Sequence, residues 1–228
     1  MVPVANGFVP SIPADRSNHN RNMCVLLSMS LKPAAIPMMD SGKALARSGE
    51  LLVDLTSAMD LYGGALSAVG AQIRNSGDCV AQAAASCRFK TGVELVCDEL
   101  REGATCLTEA TGKLRQAVEE AQVDQDQNLV RELTAAIVHL DGCATNLEAA
   151  GAAILQRKPL AEVGANLVKT GEGMKALSVN LEAFSPAKKE AIESGQRMAF
   201  AADRMITAGT ELQGTTEKPK KGKSWLKG

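Results

Sequence analysis

The stretch GGALSAVGAQIRNSGDCV, residues 63–80, decides how this chain is read. Its composition is that of a helix interior, yet glycine returns at 63, 70 and 77. A glycine inside a helix costs about 1 kcal/mol relative to alanine, so one repeated at a fixed interval needs a reason. Three positions after each of these glycines stands a large apolar residue: Leu66, Ile73 and Val80. Seven residues are close to two helical turns, so both rows stay on one face. Glycine removes the side chain that would hold a neighbouring helix away, and the large residue of one helix fills the notch left in the other.

The same grammar runs outward in both directions. Upstream, Leu45, Leu52 and Met59 continue the large row, and Gly42 and Gly49 continue the small one, with Thr56 filling the single gap. The expected helix-packing residues are therefore Gly42, Gly49, Gly63, Gly70 and Gly77 with Leu45, Leu52, Met59, Leu66 and Ile73. Downstream, Leu133, Leu140, Leu147 and Ile154 form a large row, as do Val93, Leu100, Leu107 and Leu114. Gly164 and Gly171 precede Leu167 and Met174, and Gly195, Ala202 and Gly209 precede Met198, Met205 and Leu212. The unit is a packing repeat, shorter than the modules of helical solenoids.

Composition agrees with this reading. Apolar residues make up 45% of the 228, aromatics only 3%. A core almost without rings, built from Leu, Ile, Val, Met and Ala, suits closely pressed helices and suits a β-sandwich poorly. Five of the eight prolines fall at 3, 10, 13, 33 and 37, and residues 38–158 contain none. Helices are expected near 41–75 (with continuation to about 87), 92–122, 127–157, 160–184 and 186–213. Thr91 with Glu94 matches a capping box, Ser185 before Pro186 suits a helix start, and VDQDQN at 123–128 reads as a turn. The expectation is an all-α, elongated antiparallel bundle of four or five long helices with Gly/Ala heptad seams. Residues 1–40 read as a leader or disordered segment, 41–214 as the bundle, and 215–228 as a basic flexible tail.

The net charge of −1 hides an asymmetry. The tail carries five Lys against one Glu, and residues 1–40 carry three basic against two acidic side chains, so the middle holds −6. An acidic body argues against a nucleic-acid surface. In the tail, Lys218, Lys220, Lys221, Lys223 and Lys227 surround Trp225, a combination suited to weak attachment at an anionic membrane surface or to an acidic protein groove. The longest apolar runs fall well short of the ~20 residues that cross a bilayer, so a soluble chain is expected.

Signatures of chemistry are sparse. The six cysteines form no CxxC pair and only His19 and His139 could join them, so they read as small buried hydrophobes rather than metal ligands. His139 and Cys143 share a helix face, but nothing in the sequence supplies an orienting group or oxyanion site. No enzyme activity, cofactor or metal is expected.

Two resemblances add expectations. Stretches such as LTAAIVHLDGCATNLEAAGAAIL and LTEATGKLRQAVEEA resemble, in texture, the Ala/Gly/Thr-rich bundles of talin- and vinculin-type rods across residues 41–213. That likeness implies a non-enzymatic structural or scaffold protein that docks other proteins. In the leader, GFVPS followed by LLSMSLKP resembles plastid presequences of algae with red-lineage secondary plastids. It implies a plastid location, where the alternative function is a subunit stabilising a photosynthetic membrane complex; without it the location is cytoplasmic. A small-ligand carrier bundle is the second alternative, and heptad seams would equally serve a homo-oligomer.

Overall fold

The computed structural model describes residues 15–56, 63–88, 93–123, 125–184 and 188–214, with side chains from Leu31 onward. Every element among them is an α-helix: α1 (Asp15–Thr56), α2 (Gly63–Arg88), α3 (Val93–Val123), α4 (Gln127–Leu155), α5 (Leu160–Phe184) and α6 (Lys189–Gly214). There are thus six helices where four or five were expected.

The extra helix comes from the opening row. The one helix expected over 41–75 or 41–87 is two, because α1 ends at Thr56 and α2 begins at Gly63. In a single straight helix Gly42 and Gly77 would lie about 50 Å apart. Instead they touch: a Cβ added to Gly42 would fall 2.6 Å from the Gly77 carbonyl oxygen, and one added to Gly49 would fall 2.5 Å from that of Gly70. The heptad row continues unbroken through Thr56 and Gly63, so its spacing is the same whether the chain runs straight or doubles back. Met59 lies outside the described residues.

The expected boundary after residue 40 falls inside α1. Leu31, Ala34, Ala35 and Met38 are 0–3% exposed and belong to the same core cluster as the rest of the bundle. Pro33 and Pro37 lie within this helix. They leave the carbonyls of Met29 and Pro33 without an i+4 donor, a local loss that the burial of this apolar face offsets.

Most heptads of these helices carry three or four buried positions. In α1 the residue before each seam glycine is also small, so Ser41–Gly42 and Ser48–Gly49 stand three and four positions before Leu45 and Leu52. The same small–small–x–x–large order appears as Ser76–Gly77 before Val80, Ala150–Gly151 before Ile154, Thr170–Gly171 before Met174 and Ser194–Gly195 before Met198. On a helical wheel the large row lies between the two small ones. Each small row takes one neighbouring helix, and the large row points inward. Leu45, Ile73, Leu100, Leu140, Leu167 and Met205 represent these six inward rows, none more than 3% exposed.

The neighbours follow chain order and then close: α1 packs on α2, and so on to α6, which returns to α1. The closing seam is a serine clasp. Ser48 and Ser194 each donate to the other's carbonyl at 2.9 Å, and Ser41 donates to the Ala201 carbonyl at 2.8 Å. At α5–α6 a Cβ on Gly171 would lie 2.8 Å from the Ala202 oxygen, and at α3–α4 one on Gly151 would lie 3.2 Å from the Cys97 oxygen. Gln72 reaches Glu109 at 2.7 Å between α2 and α3, and Cys143 reaches the Thr170 carbonyl at 3.4 Å between α4 and α5.

The α3–α4 turn lies within 123–128, where the polar run is. Asp126 caps α4, its carboxylate accepting from the Leu129 N–H at 3.0 Å. Helices α3 and α4 both stop in Schellman-type turns: Asp126 N–H reaches the Ala121 carbonyl and Lys158 N–H that of Ala153. Gln125 and Arg157 take the left-handed conformation these turns require, at φ 58° and 57°. The capping residues expected before α3 and α6, Thr91 and Ser185, lie outside the described residues.

Candidate functional site

The residues singled out from the sequence separate into a packed interior and an exposed periphery. Gly42, Gly49, Gly70 and Gly77 come together as one ladder between α1 and α2, with Val53 seated against Gly70. Leu45, Leu52, Leu66 and Ile73 line the core beside it, each no more than 3% exposed, and Gly63 is buried at the start of α2. The tail residues Lys218, Lys220, Lys221, Lys223, Trp225 and Lys227 lie outside the described residues.

Five cysteines are buried with free thiols. Burial pushes the Cys143 and Cys87 thiols up to about 12, and Cys97 to about 11. Cys79 rises to about 12 through burial first, then through Cys106 and the carboxylates of Glu99 and Glu102. Thiols held protonated this firmly are poor nucleophiles at neutral pH. Cys143 spends its S–H on the Thr170 carbonyl across the α4–α5 seam rather than on His139, which is half-buried one turn away. Among the described residues no three His, Cys, Asp or Glu side chains gather as a metal site.

The second small row, with Ser41, Ser48, Ser76 and Ser194, is what the sequence reading missed. Its signal was present in part: the residue immediately before Gly42, Gly49, Gly77, Gly171 and Gly195 is itself small, whereas Val69 and Val163 stand before Gly70 and Gly164. Ser76, fully buried, has a hydroxyl without a hydrogen-bond partner.

Outside, several seams are edged by polar contacts. Arg204 pairs with Asp40 at 3.1 Å across α6–α1 and Lys175 with Asp203 at 3.0 Å across α5–α6. Asn180 donates to Glu132 at 3.0 Å, and this bond, with that from Arg131, holds the Glu132 carboxyl below its ordinary range. Apolar residues break the polar exterior at a few places: Val138 and Val179 are each 66% exposed on α4 and α5, and Phe200 is 49% exposed on α6. The Arg204 guanidinium sits 5.6 Å from the Phe200 ring centre. A shallow groove of about 530 Å³ runs along α6, lined by Lys189, Ile192, Glu193, Gln196, Arg197 and Phe200.

Compared with protein-family models and with curated proteins, the chain matches none. Among the described residues no helix is long and apolar enough to cross a membrane.

Proposed function

We propose that this chain is a non-enzymatic scaffold, an antiparallel helical bundle whose outer faces dock other proteins. The observation that carries the reading is the disposition of its surfaces. The small rows are taken up by neighbours in the same chain, and the inward rows are buried, with residues such as Leu45, Ile73, Leu100, Leu140, Leu167 and Met205 no more than 3% exposed. That leaves the outer helix faces as the place for recognition. There Phe200, Val138 and Val179 stand apolar among charges, and aromatic or aliphatic anchors within a polar rim are what protein partners engage. The packed interior favours this reading over a small-ligand carrier, whose pocket would need ~300 Å³ or more.

The plastid reading of the leader rests on its sequence, and the fold adds one condition. A processing site would have to precede Leu31, since removal of 31–40 strips Leu31, Ala34, Ala35 and Met38 from the core.

Light scattering of the full chain and photo-crosslinking test the scaffold reading together. The expected result is a monomer across the concentration range, with a saturable adduct to a discrete protein from a photoreactive residue at 200, 138 or 179. A concentration-independent dimer lost on Gly49→Leu would mean that the seams themselves bind. Absence of adducts from all three positions in the native extract would overturn the reading.

A further inference from the structure

Four of the five buried thiols lie on α2 and α3, and they meet in two pairs across that seam. A Cβ added to Gly103 would lie 3.3 Å from the Cys79 Cβ and 3.4 Å from the Ser76 carbonyl oxygen, so the two helices approach closely there. Cys106 stands one turn from Gly103, and the thiol of Cys79 hydrogen-bonds that of Cys106. Cys87 and Cys97 form the second pair, near enough for a charge on Cys97 to act on Cys87.

The pairs differ in access. Cys79 and Cys106 are 9% and 8% exposed, at the rim of the seam, whereas Cys87 and Cys97 are 1% and 2% exposed. Around the rim pair stand the carboxylates of Asp78, Glu99, Glu102 and Glu109. These repel an anionic oxidant such as a glutathione-type disulfide, and a small uncharged one meets no such barrier.

We propose that Cys79 and Cys106 are an oxidation site, a dithiol that hydrogen peroxide converts into a disulfide joining α2 to α3. The inference stands apart from the scaffold reading. Thiols already in hydrogen-bond contact need to approach by only about 2 Å to reach the S–S bond length of ~2.05 Å. Cys106 is the attacking sulfur, because as a thiolate it keeps the hydrogen bond from Cys79. It breaks the peroxide O–O bond and becomes a sulfenic acid, and the departing hydroxide takes up the proton that Cys106 lost, forming water. Cys79 then attacks the Cys106 sulfur; the S–S bond forms and the sulfenic hydroxyl leaves with the Cys79 proton as a second water. Two thiols and one peroxide thus give one disulfide and two waters, with two electrons passing to the peroxide. Burial and the carboxylates of Glu102 and Glu109 hold the proton on Cys106 at neutral pH, so the disulfide is a slowly formed staple rather than a fast sensor.

Incubation of the folded full chain with hydrogen peroxide, followed by unfolding, alkylation and peptide mapping, tests this. The expected result is a chain lighter by two hydrogens in which the peptides of Cys79 and Cys106 are linked, while Cys87, Cys97 and Cys143 remain free to alkylate. The linked chain should melt about 5–10 °C higher, and dithiothreitol should reverse both changes. Cys79→Ala should lose the linkage and Cys87→Ala should keep it, with circular dichroism confirming that both fold; the map of the unsubstituted chain stands whether or not a variant folds. No linkage, oxidation of Cys106 to a sulfinic acid without linkage, or earlier linkage of Cys87 with Cys97 or of any other pair would overturn the proposal.

Discussion

Alanine substituted for glycine should have opposite signs at two classes of site in this protein. At Gly49 an added Cβ would lie 2.5 Å from both the Arg74 nitrogen and the Gly70 oxygen. Both are backbone atoms that no rotamer change can move aside, so α1 and α2 must separate. Overpacking of this kind costs about 1–3 kcal/mol, and backbone-on-backbone contact places it at the upper end. Better helix propensity returns about 1 kcal/mol, leaving a net loss of roughly 1–2 kcal/mol. At Gly112 and Gly142 an added Cβ meets nothing within 4 Å, and no described glycine has positive φ. There the propensity gain stands alone, so alanine should stabilise by about 0.5–1 kcal/mol. Between the classes the thermal midpoint should differ by roughly 5–10 °C for a chain of this size. Thermal and urea unfolding followed by helical circular dichroism reads both signs in one experiment. A Gly49→Ala protein as stable as Gly112→Ala would refute the close approach of α1 and α2.

Removing residues 1–40 should lower the urea midpoint sharply, since Leu31 and Met38 alone represent about 2–5 kcal/mol each when deleted from a core; an unchanged midpoint would place them outside it. The buried thiols hold their protons more tightly folded than unfolded, with Cys143 raised from 9.0 to about 12. Their stabilisation is complete below pH 9 and lost as pH rises from about 9 towards 12, so the urea midpoint should fall from pH 8.5 to 10.5 and fall less in Cys143→Ala. Arg157→Gly and Gln125→Gly should each stabilise by about 1 kcal/mol, because glycine enters the left-handed conformation without a Cβ penalty; a loss at both would contradict the turn geometry. Ser76→Ala should be neutral or stabilising by about 1 kcal/mol, since it removes a buried hydroxyl with no partner, whereas Ser48→Ala breaks the serine clasp and should cost about 1 kcal/mol. Equal effects of the two serine substitutions on the unfolding midpoint would show that hydrogen bonding does not separate them.

Much of the candidate surface was hard to read because position outside a helix leaves no periodic trace. Phe200, Val138 and Val179 are apolar residues off the heptad rows, and only the packing of neighbouring helices shows them facing outward. The basic tail was visible as composition. The leader shows the opposite error: Pro33 and Pro37 suggest a break by local propensity, yet Leu31 and Met38 keep the heptad spacing of Leu45 and Leu52. Burial of that row outweighed two missing backbone hydrogen bonds.

By itself the sequence determined the helical class, the rows that pack and most helix boundaries, since these follow from a seven-residue period, proline placement and capping chemistry that act within a few turns. The chain reversal between Thr56 and Gly63, the sixth helix and the closure of α6 on α1 were decided by the tertiary structure. The physical reason lies in the repeat. Glycines at 42, 49, 70 and 77 keep the same spacing in a straight helix and in a hairpin. Only contact between the Gly42 and Gly77 backbones, which no interval along the chain encodes, distinguishes the two.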